Sequence, residues 1–132
     1  MLNQDDLLLL HHLRAAFSGD QARIGQSKEA LTQEPGRAAG QVACWALSRT
    51  TDHLKRFGRR GWAMEQGIVP NAQEVRLLQM IRAIKAYDKA SARQAAEWLV
   101  ASEQVDTLID RASPLMAFYG ASPVERRTAA TA

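Results

Sequence analysis

Apolar and polar residues follow a helical period over the stretch from Asn71 to Lys89, which reads NAQEVRLLQMIRAIKAYDK. The apolar residues recur three and four positions apart and share one wide face of a helical wheel, as in a helix that packs on a core. They are Leu77, Leu78, Ile81 and Ile84, flanked by Met80 and Tyr87. Asn71 followed by Glu74 is typical of a capping box, which starts a helix. The pattern predicts a central helix on which the other helices pack.

The N-terminal stretch shows the same period and predicts a helix from Asn3 to Ser18, capped by Asn3 and closed by Gly19. Its predicted buried residues are Leu9, Leu10, Leu13, Ala16 and Phe17. The four leucines from Leu7 to Leu10 cover more than one face of such a helix. We therefore expect this helix to lie inside the bundle or, as the less favoured alternative, to pack across a dimer.

A long helix is predicted from Arg37 to Arg60, after a short one between Asp20 and Gly36. One side of it is small and apolar: Gly40, Ala43, Cys44, Leu47, Thr51, Leu54 and Gly58. The other side carries Arg49, His53, Arg56 and Arg60 in one stripe with Val42 and Trp45. The bundle either covers this half of the helix on both sides, the commoner situation for tryptophan, or leaves Trp45 exposed beside arginines. We favour the covered arrangement.

A further apolar stripe runs from Ser91 to Ala112, and Ser91 with Gln94 indicates another capping box. The pattern allows a break near Ser102. Acidic residues follow one edge of this stripe: Glu103, Asp106 and Asp110. Ser113 before Pro114 predicts the start of a short closing helix, which Gly120 ends.

These elements predict an all-α fold, a single bundle of four to five helices over residues 1–120, followed by a short flexible tail over 121–132. We identify no internal repeat, and no run alternates as a half-buried strand does.

Composition agrees with one soluble domain. The chain has 132 residues, of which 46% are hydrophobic and 23% charged, enough for a core of its own. The single cysteine, Cys44, excludes an intrachain disulfide and fits a reducing cytoplasm. No apolar run is long enough to span a bilayer, and the basic start of a signal peptide is missing. We expect a cytoplasmic protein without membrane association.

The net charge of +3 is unevenly distributed. Between Arg49 and Arg93, ten Lys or Arg residues stand against four Asp or Glu residues, whereas four acids and one base lie between Gln94 and Arg111. The two stretches can neutralise each other inside the bundle, which we favour, or the basic one can serve a partner.

Motifs for catalysis or metal binding do not emerge. The adjacent His11 and His12 point about 100° apart on a helix, and no histidine has a partner at metal-ligand spacing. Cys44 and His53 lie nine positions apart on one helix, too far for a nucleophile–base pair. The glycines do not form a phosphate-binding loop. We expect no enzymatic activity, no metal and no cofactor.

The functional hypothesis is a small regulatory or adaptor protein that acts through protein contacts. Its binding surface would be basic and rich in tryptophan, and an acidic partner would complement it. The predicted binding residues are Trp45, Arg49, His53, Lys55, Arg56, Arg59, Arg60 and Trp62. Self-association through the first helix is a further expectation.

The alternative is a nucleic-acid-binding module whose basic region, from Arg49 to Arg93, contacts phosphates. The central helix would then be the reading helix of a helix-turn-helix. Ala63, Gly67 and Ile68 match the turn of this motif. The match fails further along, where Gln73 and Arg76 occupy positions that must be apolar. An apolar ligand pocket near three large side chains is ranked last: Met80, Tyr87 and Trp98.

Overall fold

A computed structural model describes residues 2–33, 37–59, 64 and 67–119, with the side chains of residues 37 and 38 excepted. The predicted all-α class is confirmed. Within these described residues, six α-helices follow one another: α1 (Gln4–Ser18), α2 (Gln21–Thr32), α3 (Arg37–Phe57), α4 (Ala72–Lys85), α5 (Lys89–Leu99) and α6 (Val105–Ala112). Short 3₁₀ segments, Ser102–Gln104 and Ser113–Phe118, flank α6.

The predicted starts of α1 and α4 are confirmed by complete capping boxes. Asn3 Oδ1 accepts from Asp6 N at 2.9 Å, and Asp6 accepts from Asn3 N at 2.8 Å. Asn71 and Glu74 exchange the same two bonds at 2.8 and 2.9 Å. Gly19 ends α1 with a left-handed φ of 71°, a conformation that glycine adopts without steric cost.

The central helix is shorter than predicted. α4 ends at Lys85, and Tyr87 has a φ of 58° and an 87% exposed side chain, so it does not belong to the apolar arc. The capping box predicted at Ser91 is also wrong. Asp88, three residues earlier, caps α5 by accepting from Ser91 N at 3.0 Å, and the Ser91 hydroxyl donates to the same carboxylate.

The predicted break near Ser102 is confirmed, and it accounts for six helices instead of four to five. Val100 leaves the helix in an extended conformation and forms a β-bridge with Gly58 at the end of α3. The last segment is a 3₁₀ helix, which Ser113 does not cap, since its hydroxyl donates to Ile109 O at 2.7 Å. Gly120 and the predicted tail lie outside the described residues.

The six helices form two copies of one three-helix unit. Each helix of the second copy begins 68 positions after its counterpart: Gln4 and Ala72, Gln21 and Lys89, Arg37 and Val105. The cap and turn residues keep this offset: Asn3 with Asn71, Gly19 with Tyr87, and Asp20 with Asp88. The chain therefore consists of a first repeat, α1 to α3, and a second repeat, α4 to α6 with the closing 3₁₀ helix.

Sequence identity follows the same offset and overturns the expectation of no internal repeat. Residues 3–31 and 71–99 share the same amino acid at ten of 29 aligned positions. They are Asn3/Asn71, Leu9/Leu77, Leu10/Leu78, Arg14/Arg82, Ala15/Ala83, Asp20/Asp88, Ala22/Ala90, Gln26/Gln94, Glu29/Glu97 and Leu31/Leu99. The identical residues occur singly or in adjacent pairs, with different residues between them. The repeat can therefore be recognised only when the helix boundaries supply the 68-residue offset.

Two buried carboxylates join the repeats. Arg14 of α1 donates to Glu74 of α4 through two nitrogens, at 2.6 and 2.8 Å. Arg82 of α4 in turn lies 3.4 Å from the carboxylate of Asp6 in α1. Asp6 and Glu74 are equivalent in the repeat, as are Arg14 and Arg82. Each of the two helices therefore supplies an arginine to the carboxylate of the other, through two nitrogens at Glu74 and through one at Asp6. Each fully buried carboxylate also caps its own helix. The same two side chains therefore stabilise the starts of α1 and α4 and the packing of these helices on each other.

Tyr119 extends this exchange to the end of the described chain. Its hydroxyl donates to Asp6 Oδ1 at 2.6 Å, which ties the closing 3₁₀ helix to α1. Burial and the neighbouring carboxylate raise the pKa of Tyr119. The phenol therefore stays protonated and remains a donor.

One core runs through both repeats. Its largest fully buried apolar side chains are Leu9, Leu13, Leu54, Leu77, Leu78, Met80, Ile81, Leu99, Leu108 and Leu115. The predicted burial of Leu9, Leu10 and Leu13 is confirmed, whereas Leu7 and Leu8 are about half exposed, at 49% and 50%. None of the described helices combines the length and the apolarity needed to cross a membrane.

Gly40 sets the distance between α2 and α3. A Cβ at this position would lie 1.8 Å from the carbonyl oxygen of Leu31, so the end of α2 rests directly on the backbone of α3. Gly25 in α2 has open space around its Cα.

We expect Gly40→Ala to lower the free energy of unfolding by about 1–3 kcal/mol, since the methyl group forces the two helices apart. Gly25→Ala is the matched control and should raise it by about 1 kcal/mol through helix propensity. Urea unfolding followed by circular dichroism measures both. Stabilisation by Gly40→Ala similar to that by Gly25→Ala would contradict this packing.

Candidate functional site

The outer face of α3, defined here by Val42, Trp45, Arg49, Asp52 and Arg56, points away from the bundle. Trp45 is 54% exposed, and the Arg49 guanidinium lies 4.3 Å from the centre of its ring system. The favoured interpretation, that the bundle covers Trp45, is therefore wrong. The neighbouring helices pack on the two flanks of α3 and leave this strip uncovered, because its buried positions lie to either side.

His53 does not belong to this face, contrary to the prediction. It is buried on the flank of α3 that meets α6, where its ring packs on Phe57 with centroids 4.8 Å apart. Burial, assisted by the nearby charge of Arg111, lowers its pKa, although the backbone of Gln104 acts weakly in the opposite direction. Neither ring nitrogen has a hydrogen-bond partner of good geometry within the described chain. A neutral packing histidine cannot serve as a cationic contact.

The other predicted basic residues contact different parts of the protein and do not form one cluster. Lys55 lies over the ring of Phe17 in α1 at 5.2 Å, and Arg56 lies 5.1 Å from Phe57. Arg59 Nε donates to the carbonyl of Glu97 at 2.8 Å, so this residue caps the end of α5. Arg60 and Trp62 lie outside the described residues.

The acidic edge of α6 neutralises little of the basic surface. Asp106 pairs with Arg93 of α5, and both side chains are exposed. No ion pair in the described part of the chain joins Glu103 or Asp110 to the outer face of α3. The favoured expectation of mutual neutralisation thus holds only for Arg93.

An open apolar groove of about 510 Å³ adjoins Trp45. This first groove lies between the three helices of the first repeat and is lined by Ala16, Ile24, Ser27, Lys28, Gln41, Cys44, Trp45, Leu47 and Ser48. Its volume falls in the range of binding clefts, about 300–1,000 Å³. Trp45 forms part of its rim, so the groove and the outer face of α3 are one continuous surface.

The polarity of the first groove is set by few groups. Among the described residues that line it, Lys28 alone is charged. Burial raises the pKa of the Cys44 thiol, and the charge of Lys28 opposes this only in part. The thiol therefore stays neutral and forms an apolar part of the groove wall.

One buried hydrogen bond was not predicted from the sequence. Oγ of Ser27, a residue of the groove lining, lies 2.5 Å from Nδ1 of His12. Burial, and secondarily the charge of His11, lowers the pKa of His12 to about 4, so the neutral ring accepts from the hydroxyl. A hydroxyl–imidazole pair is part of a nucleophile–base arrangement. Ser27, however, lies inside α2, where backbone N–H groups are committed to the helix and offer no oxyanion site. We interpret the pair as a structural hydrogen bond that holds α1 and α2 together.

The apolar pocket that was ranked last among the alternatives, near Met80, Tyr87 and Trp98, does not form. Met80 is buried in the core, whereas Tyr87 and Trp98 line two different surface grooves. In the Trp98 groove, the guanidinium of Arg76 lies 4.7 Å from the indole, beside Arg59. Within the described residues, no three His, Cys, Asp or Glu side chains converge as a metal site requires.

No protein-family model matches this chain, and neither does any curated protein or solved structure.

The low pKa of His12 predicts a pH dependence of stability. Its ordinary value is 6.5 and its folded value is about 4, so the unfolded chain binds the proton more tightly. The contribution of neutral His12 is complete above pH 6.5 and is lost as the pH falls towards 4. Over this window the folding equilibrium constant should fall on the order of tenfold per pH unit for this one proton.

The variant His12→Asn, which keeps an acceptor for Ser27, should remove that part of the slope in urea unfolding between pH 7 and 4. His53 contributes in the same direction in both proteins. The exposed neighbour provides the control His11→Asn, which should keep most of the slope, because burial, the larger cause of the low pKa of His12, is unchanged in it. An unchanged slope in His12→Asn would contradict the assignment.

Proposed function

We propose that this protein is a non-catalytic cytoplasmic adaptor that holds an acidic, amphipathic helical segment of a partner protein in the first groove, against Trp45. The segment would insert its apolar side between α2 and α3 and place its carboxylates on the rim. This helix-in-groove mode is common in protein recognition.

The observation that carries the proposal is the position of Trp45. Its side chain is 54% exposed at the rim of an apolar groove and is held under the guanidinium of Arg49, 4.3 Å from its centre. Tryptophan and arginine are the residue types that most often dominate binding energy. A tryptophan held by stacking also loses little side-chain freedom when a partner covers it.

Charge favours an acidic segment. Lys28 lies in the groove lining and Arg49 on its rim, and neither forms an ion pair within the described chain. Arg56 continues the positive charge along the outer face of α3, where Asp52 is the one acid. Complementary charge of this kind accelerates association and excludes basic competitors.

Nucleic acid is the second candidate, favoured by the groove of about 460 Å³ that contains Trp98, Arg76 and Arg59. An exposed indole beside two arginines suits a stacked base near phosphates. The helix-turn-helix version loses support, because α4 is covered on most sides. Its exposed residues form a narrow strip of Ala72, Gln79, Arg82 and Lys85, and Arg82 is paired with Asp6. Ala63 of the proposed turn lies outside the described residues.

The test uses fluorescein-labelled peptides of about 14 residues, roughly four helical turns. They carry leucine at helical spacing and either glutamate or lysine elsewhere (the Leu/Glu and Leu/Lys peptides). Fluorescence anisotropy should show that the Leu/Glu peptide binds and that the Leu/Lys peptide binds at least about tenfold more weakly. Trp45→Ala should weaken Leu/Glu binding on the order of thirtyfold, and Arg49→Glu on the order of tenfold.

Trp98→Ala, which removes the other exposed tryptophan of the described chain, is the matched control and should bind the Leu/Glu peptide normally. Equal affinity for the two peptides, or undiminished binding by Trp45→Ala, would contradict the proposal. Binding of a labelled duplex that weakens steeply with salt and is lost in Trp98→Ala would support the nucleic-acid candidate instead.

A further inference from the structure

The second repeat contains a groove of its own. It has a volume of about 550 Å³ and is lined by Ala83, Ile84, Tyr87, Asp88, Lys89, Ala92, Arg93, Asp106, Ile109, Ser113 and Met116. This second groove lies between the helices of the second repeat, as the first groove lies between those of the first.

The two grooves are the same structural site. At the 68-residue offset, five lining residues of the first groove coincide with five of the second: Ala16 with Ile84, Ile24 with Ala92, Gln41 with Ile109, Trp45 with Ser113, and Ser48 with Met116. The cleft is thus a property of the three-helix unit. Two of its polar positions, Gln41 and Ser48, are apolar in the second copy, which makes the second groove the more hydrophobic along these walls.

The charges around the two grooves differ. Lys28 gives the first lining a positive charge, whereas the second lining holds two acids and two bases: Asp88, Lys89, Arg93 and Asp106. Arg93 of α5 and Asp106 of α6 are also paired with each other, and both side chains are exposed. The second groove therefore presents apolar walls under a rim of zero net charge, which complements an uncharged segment and not an acidic one.

The geometry points to a second binding site in this groove, which takes an apolar, uncharged helical segment. This inference rests on the proposed function of the first groove and makes the protein a bivalent adaptor, with one acidic and one uncharged segment held on the two repeats. Two such segments in one partner would bind with a gain in avidity, because the second event is intramolecular.

Tyr87 offers a reporter for this site, since its exposed side chain stands on the rim of the second groove. The full chain would carry Tyr87→Trp, with Trp45→Phe, Trp62→Phe and Trp98→Phe to silence the other tryptophans. The probe is a Leu/Gln peptide, identical to the Leu/Glu peptide except that glutamine replaces glutamate. Its addition should shift the emission to the blue and saturate at one peptide per chain.

Two variants of the reporter protein locate the peptide. Ile109→Gln installs the residue that the first repeat has at this position, so the three-helix unit tolerates it, and should weaken binding on the order of tenfold. Asp106→Asn releases Arg93 and makes the rim positive, so affinity for the Leu/Glu peptide at this reporter should rise on the order of tenfold. Asp110→Asn, which removes an exposed acid of α6 outside the groove, should change neither affinity.

Unchanged emission, or full affinity in Ile109→Gln together with no gain in Asp106→Asn, would overturn the second site. An emission shift that depends on protein concentration without peptide would also overturn it, because a second copy of the chain would then occupy the groove. Leu/Glu binding that is weakened by Trp45→Ala, together with unchanged emission of the Tyr87→Trp reporter, contradicts only the second site. Failure of the unsubstituted chain to bind the Leu/Glu peptide, or binding that Trp45→Ala leaves undiminished, contradicts the proposed function itself.

Discussion

Asp6 and Glu74 are carboxylates that water does not reach, and the fold depends on how they are neutralised. Each stands at the third position of its helix, where it closes a capping box, and each receives an arginine from the opposite helix. A buried carboxylate without that arginine is strongly destabilising. The carboxylates of α1 and α4 therefore gain their counter-charges only when the two helices are docked on each other. Tyr119, near the end of the described chain, donates a hydrogen bond to the same Asp6 carboxylate.

The two repeats share this frame and differ in the residues that line their grooves. In α5, alanines replace residues that are polar in α2, as at Ser27/Ala95 and Lys28/Ala96. Pro114 lacks a backbone donor at a position where α3 continues as a regular helix, and the third element of the second repeat becomes a 3₁₀ helix there. Trp45 has Ser113 as its counterpart. One unit thus yields a basic groove with an aromatic rim and a neutral groove with apolar walls.

Short-range sequence patterns predicted the helices. The exposure of the residues in the candidate site depends instead on packing between distant parts of the chain. Asn3, Gly19 and Asn71 act through neighbours three or four residues away, so the sequence locates the helix starts. The left-handed turn at Tyr87 has no such signal, since tyrosine gives no steric preference for it. Trp45 and His53 lie on the same side of a helical wheel, yet only the packing of α6 shows that one is exposed and the other buried. The burial of Asp6 likewise depends on Arg82, 76 residues away.

The most direct test of this account is the free energy of unfolding of Glu74→Gln, measured by urea denaturation. This variant keeps the shape of the side chain but leaves the guanidinium of Arg14 without its buried counter-charge. We predict a loss of about 3–5 kcal/mol in a single transition, because both repeats depend on the same contact. Glu29→Gln, an exposed position on α2, should change stability by less than about 0.5 kcal/mol. Equal small effects of the two variants would contradict the central role of the α1–α4 exchange.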